Sequence, residues 1–115
     1  MSKYNDINIK EWKNYEEVLT DSLWIIDKRD NTGVHSGHYH GNFVPQIPHQ
    51  LLTRYTKQGD WVLDPFMGSG TTCIQAYLMN RKYIGFEIAE NYFNAVKEYL
   101  DKLTSQLRIF DFLEE

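Results

Sequence analysis

One cysteine, Cys73, occurs in 115 residues, so no disulfide can form within the chain, as suits a reducing compartment. Proline is almost as scarce, with three residues at 45, 48 and 65 and no two of them adjacent. No stretch reaches the ~20 apolar residues of a membrane-spanning helix. The opening MSKYNDINIK also lacks the apolar run of a signal peptide. These absences predict a soluble, cytoplasmic protein with no membrane contact. Concentrated positive charge is missing too. Lys and Arg are scattered, Lys28-Arg29 and Arg81-Lys82 being the densest clusters, and the net charge is −4. A chain built chiefly to grip nucleic-acid phosphates carries a basic stripe. Any work on nucleic acid would therefore need most of its grip from elsewhere.

Apolar material is plentiful. Hydrophobic residues make up 42% and aromatics 15%, enough for the core of one small domain spanning 1–115. Trp12, Tyr15, Val18 and Leu19 fall at helical spacing and predict a short amphipathic helix within Ile9 to Leu19. Ser22 to Ile26 (SLWII) has strand character, and Asp27 to Asn42, rich in Asp, Asn, Gly and His, reads as a long loop. Pro48 suits the first turn of a helix through Leu51, Leu52 and Tyr55. Trp61 to Asp64 predicts a brief strand, Thr71 to Asn80 a helix, and Tyr83 to Glu87 a second buried strand. Ile88, Tyr92, Val96, Tyr99, Leu100, Leu103 and Leu107 keep a 3.6-residue period and predict the longest helix. The tail RIFDFLEE fits a last helical turn, a strand or a docking segment equally well. This order predicts an α/β fold whose core, 59–115, is a βαβα unit with parallel strands. An N-terminal helix, strand and loop (1–42) and a connecting segment (43–58) precede it.

The chemistry concentrates in LDPFMGSGTT. Gly68 and Gly70 permit a tight turn and close approach to a ligand. The helix starting near Thr71 offers unpaired N–H groups and a positive dipole end. Glu87 ends the second strand 23 positions after Asp64, where such folds place an acid that bonds ribose hydroxyls. A P-loop requires Gly-Lys-Ser/Thr, but Gly70-Thr71-Thr72 has no lysine. A dinucleotide site wants Gly or Ala where Cys73 stands and an apolar strand end in place of Asp64-Pro65. A turn with no ligand is a further alternative, against which the paired Glu87 argues. An acid and a Pro-Phe corner ahead of the glycines suit a cationic sulfonium cofactor that carries an amino acid and no phosphate.

LDPFMGSGTT followed by YIGFE resembles the cofactor motifs of the amino-methyltransferases that make N6-methyladenine or N4-methylcytosine in DNA. FVPQIPHQLLTRYTKQGD is similar to the cofactor-clamping motif of their permuted subclass, and the segment with Trp24 is similar to a tryptophan-bearing strand found there. The likeness runs from about Leu23 to Leu100. It implies a partial Rossmann-like methyltransferase fold and S-adenosyl-L-methionine as cofactor. By the same resemblance Asp64, Phe66, Gly68, Ser69, Gly70, Thr71 and Thr72 would surround the methionine part. Glu87 would hold the ribose hydroxyls, Phe86 and Ile88 would flank the adenine, and Phe43, Pro45 and Ile47 would line the other side.

Enzymes of that family also use a loop of the form Asp/Asn/Ser-Pro-Pro-Tyr/Phe/Trp, and no two prolines here are adjacent. There is also no room for a separate target-recognition domain. The resemblance therefore implies that a partner supplies the catalytic loop and target recognition, reaches DNA in the complex and pairs with the open Trp61–Asp64 edge. A naturally split enzyme is the favoured reading. A fragment, a self-associating homo-oligomer and a non-catalytic module that binds a methyltransferase or the cofactor are the alternatives. His35, His38, His40 and His49 lack the Cys/His pairing zinc favours, so loop or partner contacts are expected of them, with His40 or His49 a candidate to border the cofactor. Cys73 reads as a small core residue. Tyr39 and Phe43 are candidates to reach DNA or a partner.

Overall fold

A computed structural model describes residues 6–28 and 44–114, with side chains described as far as residue 105. The expected N-terminal helix is a 3-10 helix, Ile9–Asn14, opened by the Asn8 side chain accepting from the Lys10 N–H. None of its residues is buried, and Glu11 departs from helical geometry. Without an apolar face to dock, the segment has little to hold a full α-helix. Val18, beyond its end, is the buried anchor at 8% exposure.

Ser22–Ile26 belongs to no ladder among the described residues, which corrects the expected strand; Leu23 and Ile25 stay 74% and 78% exposed, with no sheet neighbour to bury them. The next helix, α1 (Gln46–Tyr55), holds the chain on either side of that segment. Gln46, Gln50 and Arg54 recur every four residues and so share one helix face. Gln46 Nε2 donates to the Lys28 carbonyl (2.7 Å), Gln50 Nε2 to the Glu17 carbonyl (2.6 Å), and Arg54 Nη1 to the Leu19 carbonyl (3.2 Å). Gln50 Oε1 accepts from the Leu19 N–H at 2.9 Å. Helix side chains thus fasten the chain at Glu17, Leu19 and Lys28, on either side of Ser22–Ile26.

Beyond Thr56 the chain forms β1 (Trp61–Asp64), α2 (Thr71–Leu78), β2 (Lys82–Gly85) and α3 (Glu90–Glu114). The strands are parallel, with Val62 opposite Tyr83 and Leu63 opposite Ile84. This is the expected βαβα unit, and the tail continues α3 as helix. Val62 and Tyr83 point into the helices. Leu52 of α1 clusters there with Ala76 and Met79, while Met67, Cys73 and Ile74 cluster with Val96, Leu100 and Leu103 of α3. α2 is therefore the middle helix, buried on both flanks, which is why Thr71, Cys73, Ile74, Gln75 and Ala76 are all buried.

The other sheet face carries Trp61, Leu63 and Ile84, at 64%, 62% and 45% exposure, with Lys82 Nζ above the Trp61 ring. All described helix packing against the sheet lies on one side, and each strand has one unpaired edge among the described residues.

Arg81, 4% exposed, closes the opposite end of the layer. It donates to the Met79 and Thr56 carbonyls (2.7 and 2.9 Å) and to Thr56 Oγ1 (2.8 Å), and pairs with Asp6 at 3.1 Å. One buried guanidinium thereby caps the ends of α1 and α2 and ties down the chain at Asp6.

Candidate functional site

Both strands point their C-terminal ends at the same place, and both strand-to-helix connections meet there. Asp64 ends β1 half-buried, its Oδ1 accepting from the Phe66 N–H at 3.1 Å across Pro65, a turn that aspartate makes readily. The chain then dives so that Met67 is buried, and the Met67 N–H donates to the Phe86 carbonyl at 2.9 Å. Phe86 in turn donates its N–H to the Asp64 carbonyl at 3.0 Å. Gly70 is left-handed at φ +81° and stands directly before α2, where an added Cβ would lie 2.7 Å from Val96 Cγ1. Backbone shape and packing both demand glycine at that position.

Glu87 joins the two connections. Its Oε1 accepts from the Gly68 N–H at 2.9 Å and its Oε2 from the Ala89 N–H at 3.0 Å, just before α3. Ser69 Oγ and Thr71 Oγ1 lie 3.3 Å apart at the start of α2. Around them Phe66, Phe86 and Ile88 expose apolar surface, at 87%, 58% and 100% exposure.

The structure thus brings Asp64, Phe66, Gly68, Ser69, Gly70, Thr71, Thr72, Phe86, Glu87 and Ile88 to one end of the sheet. Pro45 and Ile47 open α1, and Pro45 is fully buried. His49 Nδ1 meets Gln75 Nε2 at 3.2 Å, and Leu52 meets Ala76 and Met79. α1 and α2 therefore run in the same direction, which sets the Pro45 end of α1 beside the first turn of α2. Phe43, Tyr39, His35, His38 and His40 lie outside the described residues. A cavity of about 320 Å³ beside β2, lined by Met67, Tyr83, Phe93, Val96 and Lys97, and another of about 590 Å³ near Gly59 and Arg81, include none of the expected site residues.

The sequence reading missed the reason for Gly85. Its missing side chain makes room for Met67 and Cys73, since an added Cβ would sit 2.4 Å from Met67 Sδ and 2.8 Å from Cys73 Sγ. An isolated glycine inside a strand pattern was the available signal. It also missed Gln75, a buried α2 side chain that reaches His49. Cys73 is 1% exposed, and burial, then the Asp64 charge, pushes its thiol from 9.0 to about 11. It is a core residue and no nucleophile at neutral pH.

A family model for N6/N4-type DNA methylases matches residues 1–98. The chain is 34% identical over 116 residues to the type II methyltransferase M.MthZI of Methanothermobacter thermautotrophicus, covering 90% of this chain and 31% of that protein. It is 38% identical over 106 residues to M2.LlaDCHI of Lactococcus lactis subsp. cremoris (89% and 34%), and 36% identical over 94 residues to M.MjaII of Methanocaldococcus jannaschii (75% and 18%). Among solved structures, the M1.HpyAVI–SAM complex aligns with a TM-score of 0.53 and 32% identity, over 60% of this chain and 34% of that one. The chain thus spans between 18% and 34% of the length of these relatives.

Proposed function

The chain belongs to the N6/N4-type DNA methylase family, and from that membership we propose that it is the part of such an enzyme that holds S-adenosyl-L-methionine. The observation that carries this reading is the Glu87 carboxylate at the tip of β2, set against the glycine loop at 2.9 Å. Each carboxylate oxygen accepts one backbone N–H and keeps lone-pair capacity for a hydroxyl, so the group suits the two donors of a ribose diol. Asp64 adds a second negative charge, and LDPFMGSGTT contains no lysine or arginine. That donor set suits a sulfonium and disfavours a phosphate. The first turn of α2, at Thr71 and Thr72, offers N–H groups to the methionine carboxylate. Phe86 and Ile88 supply apolar surface for the adenine. Phe43, Pro45 and Ile47 are assigned to the facing wall.

The cofactor, when bound, supplies a methyl group on a positively charged sulfur. The exocyclic amino nitrogen of adenine (N6) or cytosine (N4) forms the new bond to that methyl as the sulfur–methyl bond breaks, and the nitrogen gives up a proton. Residues of this chain contribute orientation to that displacement. The base, its proton and its lone pair are handled by a Pro-Pro-aromatic loop on a second methyltransferase polypeptide, which also reads the DNA target. On this reading the chain alone transfers no methyl, and the setting is restriction–modification, as the type II names of its relatives suggest. The exposed Leu63, Ile84 and Trp61 face and the open β1 edge are the proposed docking site. Parallel sheets are normally covered on both faces, and an apolar face this open marks an interaction surface.

The test is to mix the chain with a polypeptide bearing such a loop, add methyl-labelled cofactor and DNA, and count incorporated methyl. Incorporation only in the mixture, lost with Glu87→Ala, is the expected result. Incorporation by the chain alone refutes the division of labour. Partner binding that ignores the cofactor, with no transfer in the mixture, supports a non-catalytic interaction module instead.

A further inference from the structure

Glu87 does more in this structure than wait for a ligand. Its two oxygens are committed to two different connections, the Gly68 N–H after β1 (2.9 Å) and the Ala89 N–H before α3 (3.0 Å). Two backbone bonds run beneath it, Met67 N–H to the Phe86 carbonyl at 2.9 Å and Phe86 N–H to the Asp64 carbonyl at 3.0 Å. Those bonds fix where the two connections cross. Neither pairs the N–H of Gly68 (φ +54°), and the Gly70 N–H to Met67 carbonyl bond at 2.8 Å closes the turn around Gly68 without engaging that amide. The Gly68 N–H donates instead to the Glu87 carboxylate. Bonds from backbone N–H to an ionised carboxylate are charge-assisted and stronger than neutral ones. Glycine has the most freedom to lose, so a loop with Gly68 and Gly70 two residues apart gains most from such a restraint.

We propose that Glu87 is a positioning residue that staples both strand-to-helix connections into one unit and sets the glycine loop before any cofactor arrives. This extends the cofactor reading of the same residue and is observable without cofactor. The staple explains why the acid must be glutamate. An aspartate, one methylene shorter, cannot reach Gly68 and Ala89 together from the same backbone position. It also gives Ala89 a defined partner at the entry to α3, so the first turn of that helix and the loop move together.

The experiment is amide hydrogen exchange by nuclear magnetic resonance on the cofactor-free chain and on its Glu87→Ala, Glu87→Gln and Glu87→Asp variants. In the native chain the Gly68 and Ala89 amides should exchange at least ~10-fold more slowly than unstructured reference rates. Glu87→Ala should abolish that protection at both amides while the ladder amides of Lys82 and Phe86 keep theirs. Glu87→Gln retains one acceptor oxygen and should rescue one of the two, and Glu87→Asp should likewise protect no more than one. Unchanged exchange at Gly68 and Ala89 in Glu87→Ala overturns the staple. So does acceleration spread evenly over Lys82 and Phe86 in the milder Glu87→Gln chain, which would mean general loosening. Protection that arises only after S-adenosylmethionine is added overturns the staple and leaves the cofactor reading standing. Protected amides in a chain that binds no cofactor do the reverse.

Discussion

Two side chains beneath the loop, Met67 and Cys73, decide what residue 85 can be. Gly85→Ala places a methyl 2.4 Å from Met67 Sδ and 2.8 Å from Cys73 Sγ, in a core where Cys73 is only 1% exposed. We expect a loss of about 1–3 kcal/mol, measured by urea denaturation. The thiol itself predicts an alkaline limit. Burial and the Asp64 charge raise it to about 11 from 9.0, so on raising pH the unfolded chain releases this proton first. Between those values the unfolded state binds fewer protons than the folded one, and stability falls as pH rises. Below pH 9 the contribution is complete. Urea midpoints measured across this window should decline for the native chain and decline less for Cys73→Ala. Tyr83, raised by burial and by its neighbours Cys73, Tyr77 and Asp101, keeps a residual slope in the variant. The glycine inside YIGFE was visible in the sequence, but the atoms that require it belong to a loop and a helix far from it in sequence. Spacing alone could not supply them.

Elements with a strong period were legible. α2, α3 and both strands lie where apolar spacing and the Gly-rich corner put them, because each buries a face against a neighbour that the βαβ connection supplies. β2 was displaced by a residue or two, since the Phe86 carbonyl turns to the Met67 N–H and the Glu87 carboxylate to the Gly68 N–H. Ile9 to Leu19 and Ser22–Ile26 were read less well, and the reason is shared. The bonds that fasten this stretch run from polar side chains of α1 to Glu17, Leu19 and Lys28, which no periodicity in the segments themselves reports. Gln50 is the centre of that attachment, 8% exposed and bonded to both Glu17 and Leu19. Gln50→Ala leaves the part-buried Leu19 N–H and Glu17 C=O without this partner and should cost about 0.5–1.5 kcal/mol. In the same variant the Leu19 amide should exchange with solvent much faster, while β1 and β2 stay protected. Equal loss of protection in the strands would show that the 17–28 segment is integral to the core and not strapped onto it.

At the scale of the molecule, three helices among the described residues cover one side of a two-stranded parallel sheet and leave Trp61, Leu63 and Ile84 in the open. Among the described residues no helix is long and apolar enough to cross a membrane, and none gathers with others into a group of three metal-ligating side chains. Replacing Leu63 and Ile84 together by threonine keeps strand-compatible residues and removes apolar surface. Stability of the chain alone should change by less than about 1 kcal/mol. Methyl transfer in the mixture with a catalytic-loop polypeptide should drop sharply, and transfer at the native level would place docking elsewhere. The end of the sheet that holds Asp64, the glycine loop and Glu87 was legible because its residues lie close in sequence around two short strands. The proposed facing wall at Phe43, Pro45 and Ile47 rests on the resemblance alone. All of these assignments depend on the chain holding the methyl donor. Calorimetric titration of the chain with S-adenosylmethionine tests that directly. The account predicts binding at one site per chain, weakened at least ~10-fold by Glu87→Ala, the loss of one strong charged hydrogen-bond acceptor. A native chain that takes up no cofactor, or a Glu87→Ala chain that binds it equally well, would contradict the account.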